Sequence, residues 1–436
     1  MASGPPWGPP FPLRSPRPDP SLAHRSAAAT LEVRGSTGHP LVDTEVVLAQ
    51  VDHAFGFGCT GFELLPPGPS EGGAEEPHGG REGMATQWLD LFNTATLPFY
   101  WRQFEPTEGR PQTERLREGA RWFRERGVRV KGHPLVWHTL APGWLLGRDL
   151  EEVERLLRER ITREVTDLAG LVDTWDAINE VVIMPVFTAE DNAVTPLARR
   201  LGRTGMVRLA FETARAANPS ATLLLNDFDL STAYDTLVEG VLEAGVRVDA
   251  LGLQSHMHQG WWGTEKTLEV LERFSRYGLP LHLTETTLVS GDLMPPHVED
   301  LNDHVVAPGG WPSTPEGEAR QAEELERHYR TVLSHPSVES VTWWGLWDRG
   351  AWLNAPAGLV RADGTPKPAY EALRRLVKDE WWLSPTTVRT DAQGRVRLSG
   401  WHGRYAVRLP GGGEAATVEL TPGADHLVAR LHPDPS

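Results

Sequence analysis

The chain has a single cysteine, Cys59, among its 436 residues. That excludes an intrachain disulfide and leaves Cys59 to be read as a small buried hydrophobe. Positive charge is also scarce: 43 Lys and Arg stand against 59 Asp and Glu, a formal net charge of −16. Binding a polyanion draws on a basic surplus, so this balance argues against a nucleic-acid partner. No apolar run is long enough to span a bilayer, which argues against a membrane protein. The opening MASGPPWGPPFPLRSPRPDP is Pro-rich and lacks the apolar stretch of a secretory signal. A cytoplasmic location is the default expectation, with secretion open if a signal has been removed.

What is abundant is tryptophan, 17 residues against 12 Phe and 6 Tyr. Indole faces stack on the C–H faces of sugars, so the excess fits a carbohydrate enzyme, although core packing accounts for many of them. The hydrophobic fraction of 39% supports a sizeable core. Residues 1–27 read as a disordered Pro-rich leader. LEVRG and EVVLAQV then give two short strands around a Gly-rich turn, expected to cover one end of the long segment that begins at His53.

From His53 onward, short apolar runs alternate with amphipathic stretches. Strands are expected at 54–59, 92–99, 128–137, 174–181, 222–228, 250–256, 279–286 and 340–348. Helices are expected at 113–126, 149–170, 203–217, 232–244, 264–277, 315–334 and 366–378. Near-continuous apolar strands are what a parallel sheet covered on both faces requires. Eight of them with intervening helices point to an α/β fold of the (β/α)₈ TIM-barrel type over residues 28–380, N-terminal strands included. A doubly wound open sheet is the alternative. Residues 381–436 alternate apolar and polar positions between Gly-rich turns, which suggests a small antiparallel β module.

In such a barrel the reactive groups stand where the strands end. Those ends carry His133 and Trp137, Asn179 and Glu180, Asn226 and Asp227, Gln254 and His256, Glu285, and Trp344 through Trp352. Glu180 and Glu285, ending the fourth and seventh strands, are the main signal. Retaining cleavage of a glycosidic bond needs one carboxylic acid to protonate the leaving oxygen and one carboxylate to attack the anomeric carbon, about 5–5.5 Å away. Asn179 is placed to bond a sugar 2-hydroxyl, His256 to hold Glu285 ionised, and Gln254 to orient Glu180. No cofactor or metal is called for.

The pieces KGHPLVWH (131–138), WDAINEVV (175–182), LLLNDFDL (223–230), LGLQSHMH (251–258), LHLTETTL (281–288) and VTWWGLWDRGAWL (341–353) occur in order. On them the chain resembles the family 10 glycoside hydrolases, the endo-β-1,4-xylanase family. The resemblance implies that Glu180 is the acid/base and Glu285 the nucleophile. It implies that His133, Trp137, Asn179, Gln254 and His256 line the site of the reacting sugar. Trp344 and Trp352 would be its aromatic walls, and Asn226 would support Glu285. At the end of the second strand the family's Glu-Asn and following Lys are replaced by Thr96, Leu97 and Tyr100. That puts the grip on sugars of the non-reducing side in question, unless Tyr100 and Trp101 supply it by stacking. Two other readings stand beside this one. His256-x-His258 has the spacing of a metal-ligand pair, which would suit a metal-dependent hydrolase barrel. A sugar-binding barrel without catalysis is the second. A carbohydrate substrate and a monomeric state are expected.

Overall fold

The computed structural model describes residues 19–68, 80–298, 300–304, 306 and 310–432. The first eighteen residues of the expected leader lie outside them. Pro20–Arg25 is a 3-10 turn capped by Asp19, and the chain enters its first strand at Ser26.

Two strands, β1 (Ser26–Arg34) and β2 (Glu45–His53), come first. The next eight are β3 (Gly56–Thr60), β4 (Thr94–Pro98), β5 (Arg129–His133), β6 (Thr174–Asn179), β7 (Thr222–Asp227), β8 (Ala250–Met257), β9 (Leu281–Leu288) and β10 (Val338–Trp343). They close into a barrel in the order β10-β3-β4-β5-β6-β7-β8-β9, every pairing parallel. This is the (β/α)₈ barrel expected from the alternating runs.

The helices obey simple patterning. α1 (Gly80–Leu91) follows β3, and α2 (Trp101–Phe104) with α3 (Thr113–Arg124) follows β4. α4 (Leu150–Asp167) buries Val153, Leu157, Ile161 and Val165, one stripe at four-residue spacing, and is capped by Asp149 accepting from the Glu152 amide. α5 (Val194–Ala217), α6 (Thr232–Glu243), α7 (Gly263–Ser275), α8 (Pro315–Ser334) and α9 (Pro368–Arg374) complete the ring. Tight packing between neighbouring strands also has a sequence cause. A Cβ on Gly132 of β5 would stand 2.2 Å from the Trp175 ring of β6, so only glycine lets that indole lie flat there.

Two of the longer helices differ from expectation, besides the four-residue α2, which is not among those expected. α1 is absent from the periodicity reading: its buried residues Met84, Trp88 and Leu91 are only three, set in a segment with two glycines. α5 starts at Val194 rather than 203, because Gly202 (φ 71°, ψ 167°) breaks the path and hides the first half from a periodicity reading.

The N-terminal strands do not belong to the barrel. The chain forms two compact units, one running to Ala54 and resuming at Val377, the other Phe55–Leu376. In the first unit β1 lies between β12 (Arg395–Trp401), antiparallel, and β15 (His426–Arg430), parallel. β2 lies between β11 (Thr386–Arg389) and β13 (Gly403–Arg408), with β14 (Ala416–Leu420) beyond. So the expected domain limits 28–380 and 381–436 are corrected: the module is one set of seven strands built from both ends of the chain. The reason is packing. Leu31, Val33, Val46 and Leu48 share a core with Leu398, Tyr405, Val407 and Leu420.

Each such side chain contributes roughly 1.5–3 kcal/mol on burial. The four N-terminal ones together are therefore comparable to the whole stability of a typical domain, about 5–15 kcal/mol. Deleting residues 384–436 alone should uncover them and cause aggregation, read by light scattering. A monodisperse truncated chain would contradict this account of the module.

Candidate active site

Strands β6 and β9 bring Glu180 and Glu285 to the same end of the barrel. Between them runs a relay of amides. Gln254 Nε2 donates to Glu180 Oε1 (3.2 Å) and to Asn179 Oδ1 (3.1 Å). Asn226 Nδ2 donates to the same Asn179 Oδ1 (2.7 Å) and to Glu285 Oε1 (3.0 Å). Asn179 Nδ2 closes the loop on Glu180 Oε1 (3.2 Å), and the Thr284 hydroxyl fixes Asn226 by donating to its Oδ1 (2.6 Å). The amide hydrogens at the two carboxylates are thus set by their neighbours. Gly252 of β8 makes the room: a Cβ there would lie 2.3 Å from Asn226 Oδ1.

The remaining lone pairs are also met. Trp137 Nε1 donates to Glu180 Oε2 (2.8 Å). His256 Nε2 lies 3.1 Å from Glu285 Oε2, and His133 Nε2 lies 3.9 Å from Glu285 Oε1. Behind His133 stands a buried ionic chain. Its Nδ1 meets Asp176 Oδ2 at 2.7 Å, and Lys131 Nζ meets the same oxygen at 2.8 Å. Lys131 and His133 are two apart on β5, so they share its inward face.

These surroundings drive the two carboxyls apart. Burial, followed by the charge of Glu285, pushes Glu180 up to about 8 in spite of the Trp137 hydrogen bond. Burial acts on Glu285 as well, but His133 and His256 outweigh it and hold this carboxyl below its ordinary value. One group keeps its proton at neutral pH while its neighbour is ionised, the division of labour that acid-plus-nucleophile chemistry requires.

The backbone at Glu180 is unusual. Its φ is 55°, in the left-handed region where a side chain costs of order 1–3 kcal/mol. β7 holds it there from both sides: the Glu180 amide donates to Asn226 O (2.9 Å), and the Val182 amide donates to Asp227 Oδ2 (3.0 Å). The buried Asp227 carboxyl, raised to about 7 by burial, thereby secures the turn that presents Glu180.

Residues 93–376, well over half the chain, match the model for glycosyl hydrolase family 10. The chain belongs to that family. It is 26% identical to endo-1,4-beta-xylanase B of Thermotoga neapolitana over 64% of this chain and 78% of that protein. It is also 26% identical to anti-sigma-I factor RsgI6 of Acetivibrio thermocellus, over 92% of this chain but only 48% of that protein, so it spans about half of that relative. Among solved structures, native xylanase 10B from Thermotoga maritima shares the fold, with a TM-score of 0.60 at 23% identity over 74% of this chain and 95% of that one.

Within this family 10 glycoside hydrolase, most of the expected site residues meet around the pair. Trp344 stands 5.1 Å from His133 and 6.2 Å from His256, and Trp352 stands 4.8 Å from His256, ring centroid to centroid. Tyr100 lies 5.7 Å from His133 and 5.6 Å from Trp137. Trp101 does not join them, and its expected place at the substrate is corrected. Its buried indole donates to Glu105 Oε2 (3.1 Å), meets Trp144 edge-on and lies under the Arg160 guanidinium. Tyr100 stands before the short helix α2 with an extended ψ of 115°, Trp101 opens it, and the two rings face different ways.

Of the residues expected to depart from the family at the second strand, Thr96 and Leu97 are fully buried and Tyr100 is half-buried. Leu97 and Phe123 of α3 both border Gly61. Neither Thr96 nor Leu97 carries an amide or a carboxylate. His256, half of the supposed metal pair, is engaged with Glu285 and Thr287. No group of three or more potential ligands gathers around a common point among the described residues. The sequence reading missed Lys131, Asp176 and the part played by Asp227. Its one available signal was a charge inside an otherwise apolar barrel strand.

Two consequences of the Glu180 shift can be measured. Acid-plus-nucleophile chemistry on this pair would need Glu285 ionised and Glu180 protonated, so kcat/KM should stay flat from below 4.5 up to about 8 and fall beyond. A carboxyl raised on folding adds nothing to stability below its unfolded value near 4.5 and costs progressively more up to about 8. Glu180→Gln should therefore melt above the wild type at pH 8 and level with it at pH 4. Equal melting temperatures at both pH values would show that Glu180 is not shifted.

Proposed function

We propose that this chain hydrolyses β-linked, xylan-type glycans with net retention, Glu285 serving as nucleophile and Glu180 as acid/base. The observation that carries the assignment is the amide-bridged pair whose surroundings protonate one carboxyl and ionise the other. In the first step Glu285 attacks the anomeric carbon. The bond to the leaving oxygen breaks as Glu180 delivers its proton, and a glycosyl ester forms on Glu285. In the second step Glu180, now a carboxylate, takes a proton from water. The water oxygen attacks the same carbon and frees Glu285.

The neighbours have matching tasks. Asn179, with one amide hydrogen spent on Glu180, offers the other to the sugar 2-hydroxyl. His133, itself held by Asp176, and His256 keep Glu285 charged, and Trp344 and Trp352 flank the ring. The names of the xylanase relatives direct the reading to xylan. With Thr96, Leu97 and Tyr100 in place of three polar contacts worth about 0.5–1.5 kcal/mol each, linear xylan should be held roughly a hundredfold more weakly than by a fully equipped relative. A monomer acting on carbohydrate alone is the working state.

Replacing Glu285 by Ala should lower turnover roughly 10³-fold or more with the fold intact by circular dichroism. Glu180→Ala should damage cleavage of xylo-oligosaccharides far more than that of 4-nitrophenyl β-xyloside, whose leaving group needs little protonation. Equal losses on both substrates would remove the acid role, and an active Glu285→Ala would remove the nucleophile.

A further inference from the structure

Four rings line one sector of the barrel mouth, and they come from four consecutive strands. Trp344 follows the end of β10, Phe62 stands two residues beyond β3, Tyr100 two beyond β4, and His133 ends β5. Their centroids make a closed circuit: Trp344–Phe62 5.8 Å, Phe62–Tyr100 6.0 Å, Tyr100–His133 5.7 Å and His133–Trp344 5.1 Å. All four contacts are edge to face, at 79–89°. Aromatic rings at these spacings are in van der Waals contact, so no pyranose passes between them.

Two of the four rings stand at Glu285. His133 reaches Glu285 at 3.9 Å, and Trp344 borders His256, which holds Glu285's other oxygen. The immediate donors to Glu180 are Trp137, Asn179 and Gln254; none belongs to the circuit, and Tyr100 meets the first of them at 5.6 Å, where the wall ends on the Glu180 side. In double displacement the sugar attacked lies over the nucleophile, and the departing sugar leaves past the acid. A wall behind the nucleophile therefore bounds the glycone. Given the proposed retaining reaction on which it rests, we infer that this chain acts from the non-reducing end, releasing one sugar at a time. Phe62 and Tyr100 occupy the room that a second glycone unit would need.

The test uses the full chain with xylohexaose carrying ¹⁸O at its reducing end, and with 4-nitrophenyl β-xyloside and β-xylobioside. Early products should be unlabelled xylose and labelled xylopentaose. Nitrophenol release from the xyloside should exceed direct release from the xylobioside at least tenfold in kcat/KM. Tyr100→Ala should shift that ratio toward the xylobioside by tenfold or more. Phe62→Ala opens the same wall from the neighbouring strand and should act likewise if the first variant does not fold. Xylobiose or xylotriose among the earliest products, or direct release from the xylobioside at a rate matching the xyloside, would overturn end-wise action while leaving the retaining reaction standing. Failure to cleave any of the three substrates would instead bring down the proposed substrate, and this inference with it.

Discussion

Everything at the barrel mouth depends on one constraint: two buried carboxyls, bridged by the same amides, must coexist without both being charged. Taking two like charges out of water together is costly, so one of them has to retain its proton. The protein decides which. Histidines gather at Glu285, whereas Glu180 receives uncharged indole and amide donors. The Gln254–Asn179–Asn226 relay then fixes the geometry between them, and it exists only because barrel closure sets β6, β7, β8 and β9 side by side.

The supporting structure answers that requirement. A charged cluster at the mouth must be anchored below, and Lys131 with Asp176 does so from inside the barrel. Glu180 leaves its strand sharply, and its left-handed backbone achieves this under the hold of Asn226 and Asp227. The long loop after β10 needs its own anchor. Buried Lys367 supplies it by donating to Ser290, Asp348 and the carbonyl of Gly358. The walls Trp344 and Trp352 hang on that loop. Stability is spent at each of these points to keep the pair in register, as expected of sites that store strain.

Much of this was legible in the sequence because the strongest patterns are local. Apolar runs ending in Asn-Glu or Thr-Glu mark barrel strands and the ends that carry the carboxyl pair, and all eight strands lie where the runs placed them. What escaped has a physical cause in each case. The pairing of β1 with β12 and β15 joins residues hundreds of positions apart, and strand alternation carries no information on partners. The first half of α5 is masked by Gly202, and α1 by its sparse apolar stripe. Trp101 looks like a sugar platform by composition, yet it opens α2 and turns inward to Glu105 and Trp144. Lys131 and Asp176 are recognisable only once β5 and β6 are adjacent.

The central claim is the opposed protonation of Glu180 and Glu285, and carboxyl ¹³C NMR titration of the labelled protein tests it most directly. The account predicts a Glu180 signal titrating near 8 and a Glu285 signal titrating below 4.5. It further predicts that Glu285→Gln, by removing the neighbouring charge, brings the Glu180 midpoint down. A Glu180 midpoint near 4.5 in the wild type, or one indifferent to Glu285→Gln, would contradict it.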